Sequence, residues 1–102
     1  MSRYILAPRA IEDIDAIYDY IASNNLDAAE RFVDAVEQKC ETLANFPNMG
    51  KSYENLAPQL RGVLTGNYII FYRPIENGIE VVRILSGYRD LEAMFSDSDD
   101  DN

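Results

Sequence analysis

The apolar residues of this chain change their period once, near residue 50, and that change fixes the fold class. Upstream, Ile11, Ile14, Ile17, Tyr18 and Ile21 recur at helical spacing, with Glu12, Asp13, Asp15 and Asp19 on the other side. Ala29, Phe32, Val33, Val36, Cys40 and Leu43 make a second such stripe. Pro8 is placed to open the first helix, and Ser23-Asn24-Asn25 ends it. Asp27 with Glu30 reads as a capping box for the second helix, which Pro47 and Gly50 terminate. Helices joined by so few residues form an antiparallel hairpin. Downstream, residues 60–64, 68–73 and 79–85 are rich in β-branched and aromatic side chains, the signature of strands. With the short apolar run Tyr4-Ile5-Leu6 in front, the order is β-α-α-β-β-β, an α+β domain. The first strand then joins the sheet beside a non-sequential neighbour, at an edge or next to the second strand.

Asn77-Gly78 is a favoured two-residue hairpin turn, because both positions tolerate φ > 0. With these two as the turn, Tyr72 faces Arg83. One sheet face carries Tyr68, Ile70, Tyr72, Val81, Arg83 and Leu85, and the other Ile69, Phe71, Arg73, Glu80, Val82 and Ile84. Both faces are substantially apolar, yet two helices can cover only one. An uncovered apolar face implies a partner.

The formal net charge of the 102 residues is −9, which excludes a protein that coats nucleic acid through a general basic surface. That charge is segregated along the chain. The helical half is acidic, residues 46–96 are balanced, and the end, Ser96 to Asn102, reads SDSDDDN. The expected organisation is one domain over 1–95 and a disordered acidic tail over 96–102. With no His, imidazole acid–base catalysis and His metal ligands are excluded, and the single Cys40 allows neither an internal disulfide nor a thiolate cluster. No cofactor or metal is expected. No apolar run approaches the roughly 20 residues of a membrane span, and the start MSRYILAPRAIED lacks the apolar stretch of a signal peptide. The expected compartment is the cytoplasm.

Cys40 sits on an apolar stripe with no base to activate it, so it reads as an inert core thiol. The helix carboxylates read as a solvated face. Arg61, Arg73, Arg83 and Arg89 all fall in the neutral region among Tyr68, Phe71, Tyr72 and Tyr88. Arginine binds phosphate or carboxylate through two parallel hydrogen bonds and stacks on aromatic rings. A local basic patch is one reading. Pairing with Glu76, Glu80, Asp90 and Glu92, or with an acidic partner peptide, is the other.

Three stretches, LAPRAIEDIDAIYDYIA at 6–22, AAERFVDAVEQKCETLANFPNMGKSYENLAPQLR at 28–61 and GNYIIFYRPIENGIEVVRILSGYRDLEAMF at 66–95, resemble the RelE/ParE superfamily of type II toxin–antitoxin toxins. Within it they resemble the ParE branch. The segments FPNMG, YIIFYR and VVRILSGYRD, in that order and spacing, make the likeness specific. The resemblance implies a helical hairpin on a small twisted antiparallel sheet. It also implies a co-encoded antitoxin, of ribbon-helix-helix type, whose C-terminal segment wraps the toxin. The target it implies is DNA gyrase, inhibited by protein binding, with growth inhibition and plasmid stabilisation as consequences. The RelE branch instead cleaves mRNA on the ribosome, with basic residues and a late tyrosine. That mechanism transfers poorly. The position after Tyr68 is Ile69, the helix-to-sheet basic cluster is reduced to Lys51 and Arg61, and Phe95 stands near where the tyrosine belongs. The expectation is a non-enzymatic toxin without catalytic residues and without direct sequence-specific nucleic-acid binding. A RelE-like endonuclease and a non-toxic antitoxin-binding module are the alternatives. On this reading Arg61, Arg73, Arg83, Tyr88, Arg89 and Phe95 are candidates for contacting the target, and Ile5, Leu6, Ile69, Phe71, Val82 and Ile84 for contacting the antitoxin.

Overall fold

A computed structural model describes residues 2–87 and 91–100, the last five of these by their backbone alone. The elements are β1 (Arg3–Leu6), α1 (Pro8–Ala22), α2 (Leu26–Asn45), β2 (Lys51–Ser52), β3 (Arg61–Thr65), β4 (Tyr68–Ile75), β5 (Gly78–Ser86) and α3 (Leu91–Asp100). The α+β class and the helical hairpin stand as read from the sequence. The sheet has five strands in the order β1-β5-β4-β3-β2. It is mixed rather than wholly antiparallel, because β1 lies parallel to β5. A chain that leaves β1 through a helical hairpin and a three-strand meander arrives at β5 running in the same direction, so this pairing is the crossover kind. The two-residue β2 pairs with β3 and carries too few residues for a periodic signal.

Proline at the first turn opens α1, as expected. Helix α2 starts earlier than the capping-box reading placed it. Asn25 is its N-cap, and the Asn25 side-chain oxygen accepts the Ala28 N–H at 3.0 Å. Ala10, Val36, Cys40, Leu43 and Ala44 from the helices pack on Ile70, Tyr72, Ile79, Val81 and Ile84 of the sheet.

The turn between β4 and β5 sits one residue upstream of the expected place. Ile75 pairs with Gly78, leaving Glu76 and Asn77 as the loop, with Asn77 at φ 65°. Gly78 is needed for another reason. Strand β1 passes so close that a Cβ on Gly78 would overlap the Arg3 carbonyl. A β-bulge between Phe71 and Tyr72 then skips Val82, so that Tyr72 pairs with Val81 and Phe71 with Arg83. The extra residue exchanges the sides of the residues after it. Ile84 joins the helix-facing core and Leu85 the opposite one, the reverse of the alternation expected from an unbroken strand.

That opposite face is covered by the chain itself. Leu60, Ile69, Phe71, Leu85 and Phe95 form a second core, packed by Tyr53, Leu56 and Ala57 of the β2–β3 connection and by Leu91 and Met94 of α3. Phe71 is sandwiched by edge-on rings, Tyr53 at 5.1 Å and Phe95 at 5.0 Å between centroids. The open apolar face expected from two helices is therefore largely filled. Helix α3 also carries the backbone of residues 96–100, where a disordered tail was expected. Once Leu91, Met94 and Phe95 anchor the first turns, adding further residues costs far less than nucleating a helix. Residues 101 and 102 lie outside the described residues.

Candidate functional site

The arginines, read from the sequence either as a local basic patch or as partners of carboxylates, have separate local tasks. Arg83 lies against α1, where its Nε and Nη2 donate to the two carboxylate oxygens of Asp13 at 2.8 and 3.0 Å. The pair is largely shielded, with the two side chains 9% and 14% exposed. Asp13 also accepts the Ile84 backbone N–H at 2.9 Å. Strand β1 stops pairing at Val81, so one carboxylate satisfies both a buried guanidinium and an N–H on the uncovered edge of β5. The hydrogen bonds that Arg83 donates to Asp13 raise its pKa above the ordinary value, against the opposing effect of burial.

Arg61 reaches back to the turn after α2, donating from Nη1 to the carbonyls of Asn48 at 3.2 Å and Gly50 at 2.7 Å. The fully buried Tyr72 holds the same turn. Its hydroxyl accepts the Gly50 N–H and donates to the Pro47 carbonyl, both at 2.8 Å. Burial pushes the Tyr72 phenol above its usual pKa. Gly50 lets the chain lie against that ring, since a Cβ there would stand 2.6 Å from the hydroxyl. The FPNMG segment is thus a clamped turn. The Arg61 guanidinium and the Tyr72 hydroxyl are engaged in clamping it.

Arg73 forms an exposed pair with Glu80 at 3.3 Å. Its neighbourhood is a groove of about 340 Å³ that Arg9, Arg73, Arg83, Val82, Leu60 and Phe95 help to line. Arg73, Arg83 and Phe95 among the target candidates therefore meet Val82 of the antitoxin candidates in one place, while Arg61 stands apart. Tyr88 and Arg89 lie outside the described residues. Of the remaining antitoxin candidates, Ile69 and Phe71 are buried under α3 and the β2–β3 connection, and Ile84 is buried under the helices. Leu6 packs partly on the helix-side core, and Ile5 is 41% exposed. The expected surface fails at Ile69, Phe71 and Ile84 because α3 and the bulge were not legible as cover and as a change of side.

The thiol of Cys40 is fully buried, and burial first, then Glu37 and Glu41, push its pKa to about 12. It is the inert core group expected. Among the described residues no cluster of three or more His, Cys, Asp or Glu side chains could hold a metal, and no helix is long and apolar enough to cross a membrane. The sequence reading missed Asp13, which it assigned to the solvated face. The signal was present, since Asp13 follows the buried Ala10 by three residues and precedes Ile17 by four, on the stripe that meets the sheet.

Residues 4–91 match the family described as the ParE toxin of type II toxin–antitoxin systems, parDE. The chain belongs to the ParE toxin family. It is 30% identical over 86 residues to Toxin ParE1 of Caulobacter vibrioides, covering 83% of this chain and 88% of that relative. It is 27% identical over 94 residues to Toxin ParE3 of the same organism, covering 91% and 94%. Its fold is similar to that of a chain in the chromosomal ParDE system from P. aeruginosa, with a TM-score of 0.69 over 84% of this chain and 96% of that one, at 22% identity. The ParE match runs from within β1 to the start of α3, and so takes in the Asp13–Arg83 pair, the clamped turn and most of the groove lining.

Proposed function

We propose that this ParE-family toxin inhibits DNA gyrase by binding it, and that a co-encoded antitoxin neutralises it by binding in turn. The observation that carries the reading is the ParE match over residues 4–91, with relatives covered over most of their length. Binding rather than catalysis is supported by what the polar groups are doing. The Arg61 guanidinium, one of the two basic residues left in the helix-to-sheet connection, is turned onto the main-chain carbonyls of Asn48 and Gly50, and Phe95, which has no hydroxyl, stands near where a RelE-like tyrosine belongs. The site of action is the cytoplasm, where gyrase and a translated antitoxin meet the toxin.

Induced expression should arrest growth with double-strand breaks, and expression of the adjacent gene should rescue it. Purified toxin should suppress supercoiling by purified gyrase and trap cleaved DNA. Undisturbed supercoiling in excess toxin would overturn the gyrase reading. Cleavage of message on programmed ribosomes would replace it with the RelE-like activity, and a stable complex with the antitoxin without growth arrest would leave a binding module.

A further inference from the structure

We infer that Asn77–Gly78 is a self-modification site, at which the chain converts Asn77 to isoaspartate and so unlatches β1 from β5. Asn77 is the only asparagine in the sequence followed by glycine. Asn25, Asn45, Asn48, Asn55 and Asn67 precede Leu, Phe, Met, Leu and Tyr, whose side chains crowd the same chemistry. The reaction needs water and hydroxide alone. The Gly78 amide nitrogen gives its proton to hydroxide and attacks Cγ of Asn77. A bond from that nitrogen to Cγ forms, the Cγ–Nδ2 bond breaks, and Nδ2 leaves as ammonia with a proton from water. Water then opens the cyclic imide. Attack on the former side-chain carbonyl gives aspartate, and attack on the main-chain carbonyl gives isoaspartate. In isoaspartate the backbone runs through Cβ and Cγ and is one carbon longer. Water enters, ammonia leaves, and nothing is oxidised or reduced.

The fold both gates this step and is broken by it. Asn77 is exposed in the β4–β5 loop at φ 65°, open to solvent. Gly78 is buried and held from both sides, paired with Arg3 of β1 and with Ile75 of β4. The Asn77 carbonyl accepts the Arg3 N–H at 2.9 Å. A parallel ladder bonds Arg3 to the residues flanking Gly78, so the Gly78 N–H is directed at Ile75 instead. The attacking nitrogen is thus engaged in the sheet, and the step waits for the hairpin end to open. The product does not fit back. A Cβ on Gly78 already overlaps the Arg3 carbonyl, so an added backbone carbon beside β1 has no room. The carbonyl that held the Arg3 N–H becomes a carboxylate off the main chain. It adds a negative charge between Glu76 and Glu80, on a chain already at −9. Openings of β1 that end in reaction are therefore irreversible, and the site acts as a clock on the folded protein.

The test incubates the full chain, Asn77→Gly, Arg3→Pro and a free peptide of residues 75–79 at one mildly alkaline pH. Intact mass and peptide mapping follow Asn77, and labelling by an isoaspartyl methyltransferase identifies the isomer. Glycine at 77 accepts the positive φ and carries no amide to lose. Asn77 in the folded chain should react on the order of tenfold more slowly than in the peptide, and Arg3→Pro, which lacks the N–H donor, should close most of that gap. If Arg3→Pro does not fold, wild type in urea below its unfolding midpoint makes the same comparison, the rate rising with urea. Aged wild type should show faster hydrogen exchange at residues 3–6 and a lower Tm, and aged Asn77→Gly should keep both. No reaction at Asn77 while the peptide is consumed overturns the inference, as do equal rates in chain and peptide. Modified chain that retains protection at residues 3–6, or Asn77→Gly that loses it equally on ageing, overturns it too.

Discussion

Removing either partner of the Asp13–Arg83 pair should destabilise the protein far more than removing an ordinary surface ion pair. The two hydrogen bonds are 2.8 and 3.0 Å long, in line with a fork-to-carboxylate geometry, and the side chains are only 9% and 14% exposed. Asp13→Ala leaves the guanidinium buried without its counter-charge and takes the acceptor from the Ile84 N–H. Breaking such a shielded pair costs about 3–5 kcal/mol. Arg83→Met keeps the aliphatic packing and leaves the carboxylate with the Ile84 N–H, so about 2–3 kcal/mol is expected. In the double variant no unpaired charge remains. The Ile84 bond is lost with Asp13 in the single and double variants alike and cancels from the cycle. The coupling should therefore be about 2–3 kcal/mol. Urea unfolding of the four proteins, followed by circular dichroism, measures it, provided the slope with denaturant stays constant. Single effects that sum to the double within about 0.5 kcal/mol would refute the coupling, since independent sites add to that tolerance. The result also bears on function. A loss of toxicity in Arg83→Met that tracks the unfolded fraction is a stability effect, and only a loss beyond it marks a target contact.

Other substitutions probe the remaining devices. Tyr72→Phe leaves the Gly50 N–H and the Pro47 carbonyl without their partner, and should cost about 2–3 kcal/mol, read as a fall in Tm of roughly 10–20 °C. Gly78→Ala forces β1 away from the Arg3 carbonyl contact, so hydrogen exchange at residues 3–6 should accelerate well before the rest of the sheet opens. The Cys40 thiol has its pKa raised from 9.0 to about 12. The unfolded chain therefore releases that proton first, and the stability from this group, complete below pH 9, is lost as pH climbs toward 12. Its slope approaches about 1.36 kcal/mol per pH unit, and Cys40→Ala should flatten the decline in Tm over that window. The same thiol should resist alkylation near neutral pH until the protein is unfolded by urea.

Where burial follows a simple period the sequence was readable, and where one residue shifts that period it was not. The stripes from Ile14 to Leu43 led directly to the helical hairpin, and the β-branched runs to β3, β4 and β5. The bulge at Val82 carries no distinctive residue type, yet it decides that Ile84 faces the helices and Leu85 does not. Ionic partners were legible only where the hairpin register sets them. Arg73 pairs with Glu80, one of the carboxylates the sequence offered and its neighbour across β4 and β5, whereas the partners of Arg61 and Arg83 lie at residues 48–50 and 13 and are set by tertiary approach. The cover over Phe71 was hidden because Leu91, Met94 and Phe95 make too short a stripe to announce a helix above an acidic run.

The parallel pairing of Arg3–Leu6 with Gly78–Val81 joins stretches about 75 residues apart in the chain. Strand β1 therefore has no sheet partner among the described strands until β5 has left the ribosome. Long loops of this kind delay closure of the sheet. A product truncated before β5 lacks the strand that holds both β1 and β4, along with Ile79, Val81 and Ile84 of the main core. A fragment that stops before β5 is therefore expected to leave β1 and β4 unpaired and to be cleared by proteases, which pulse-chase of a chain ending at residue 77 would measure.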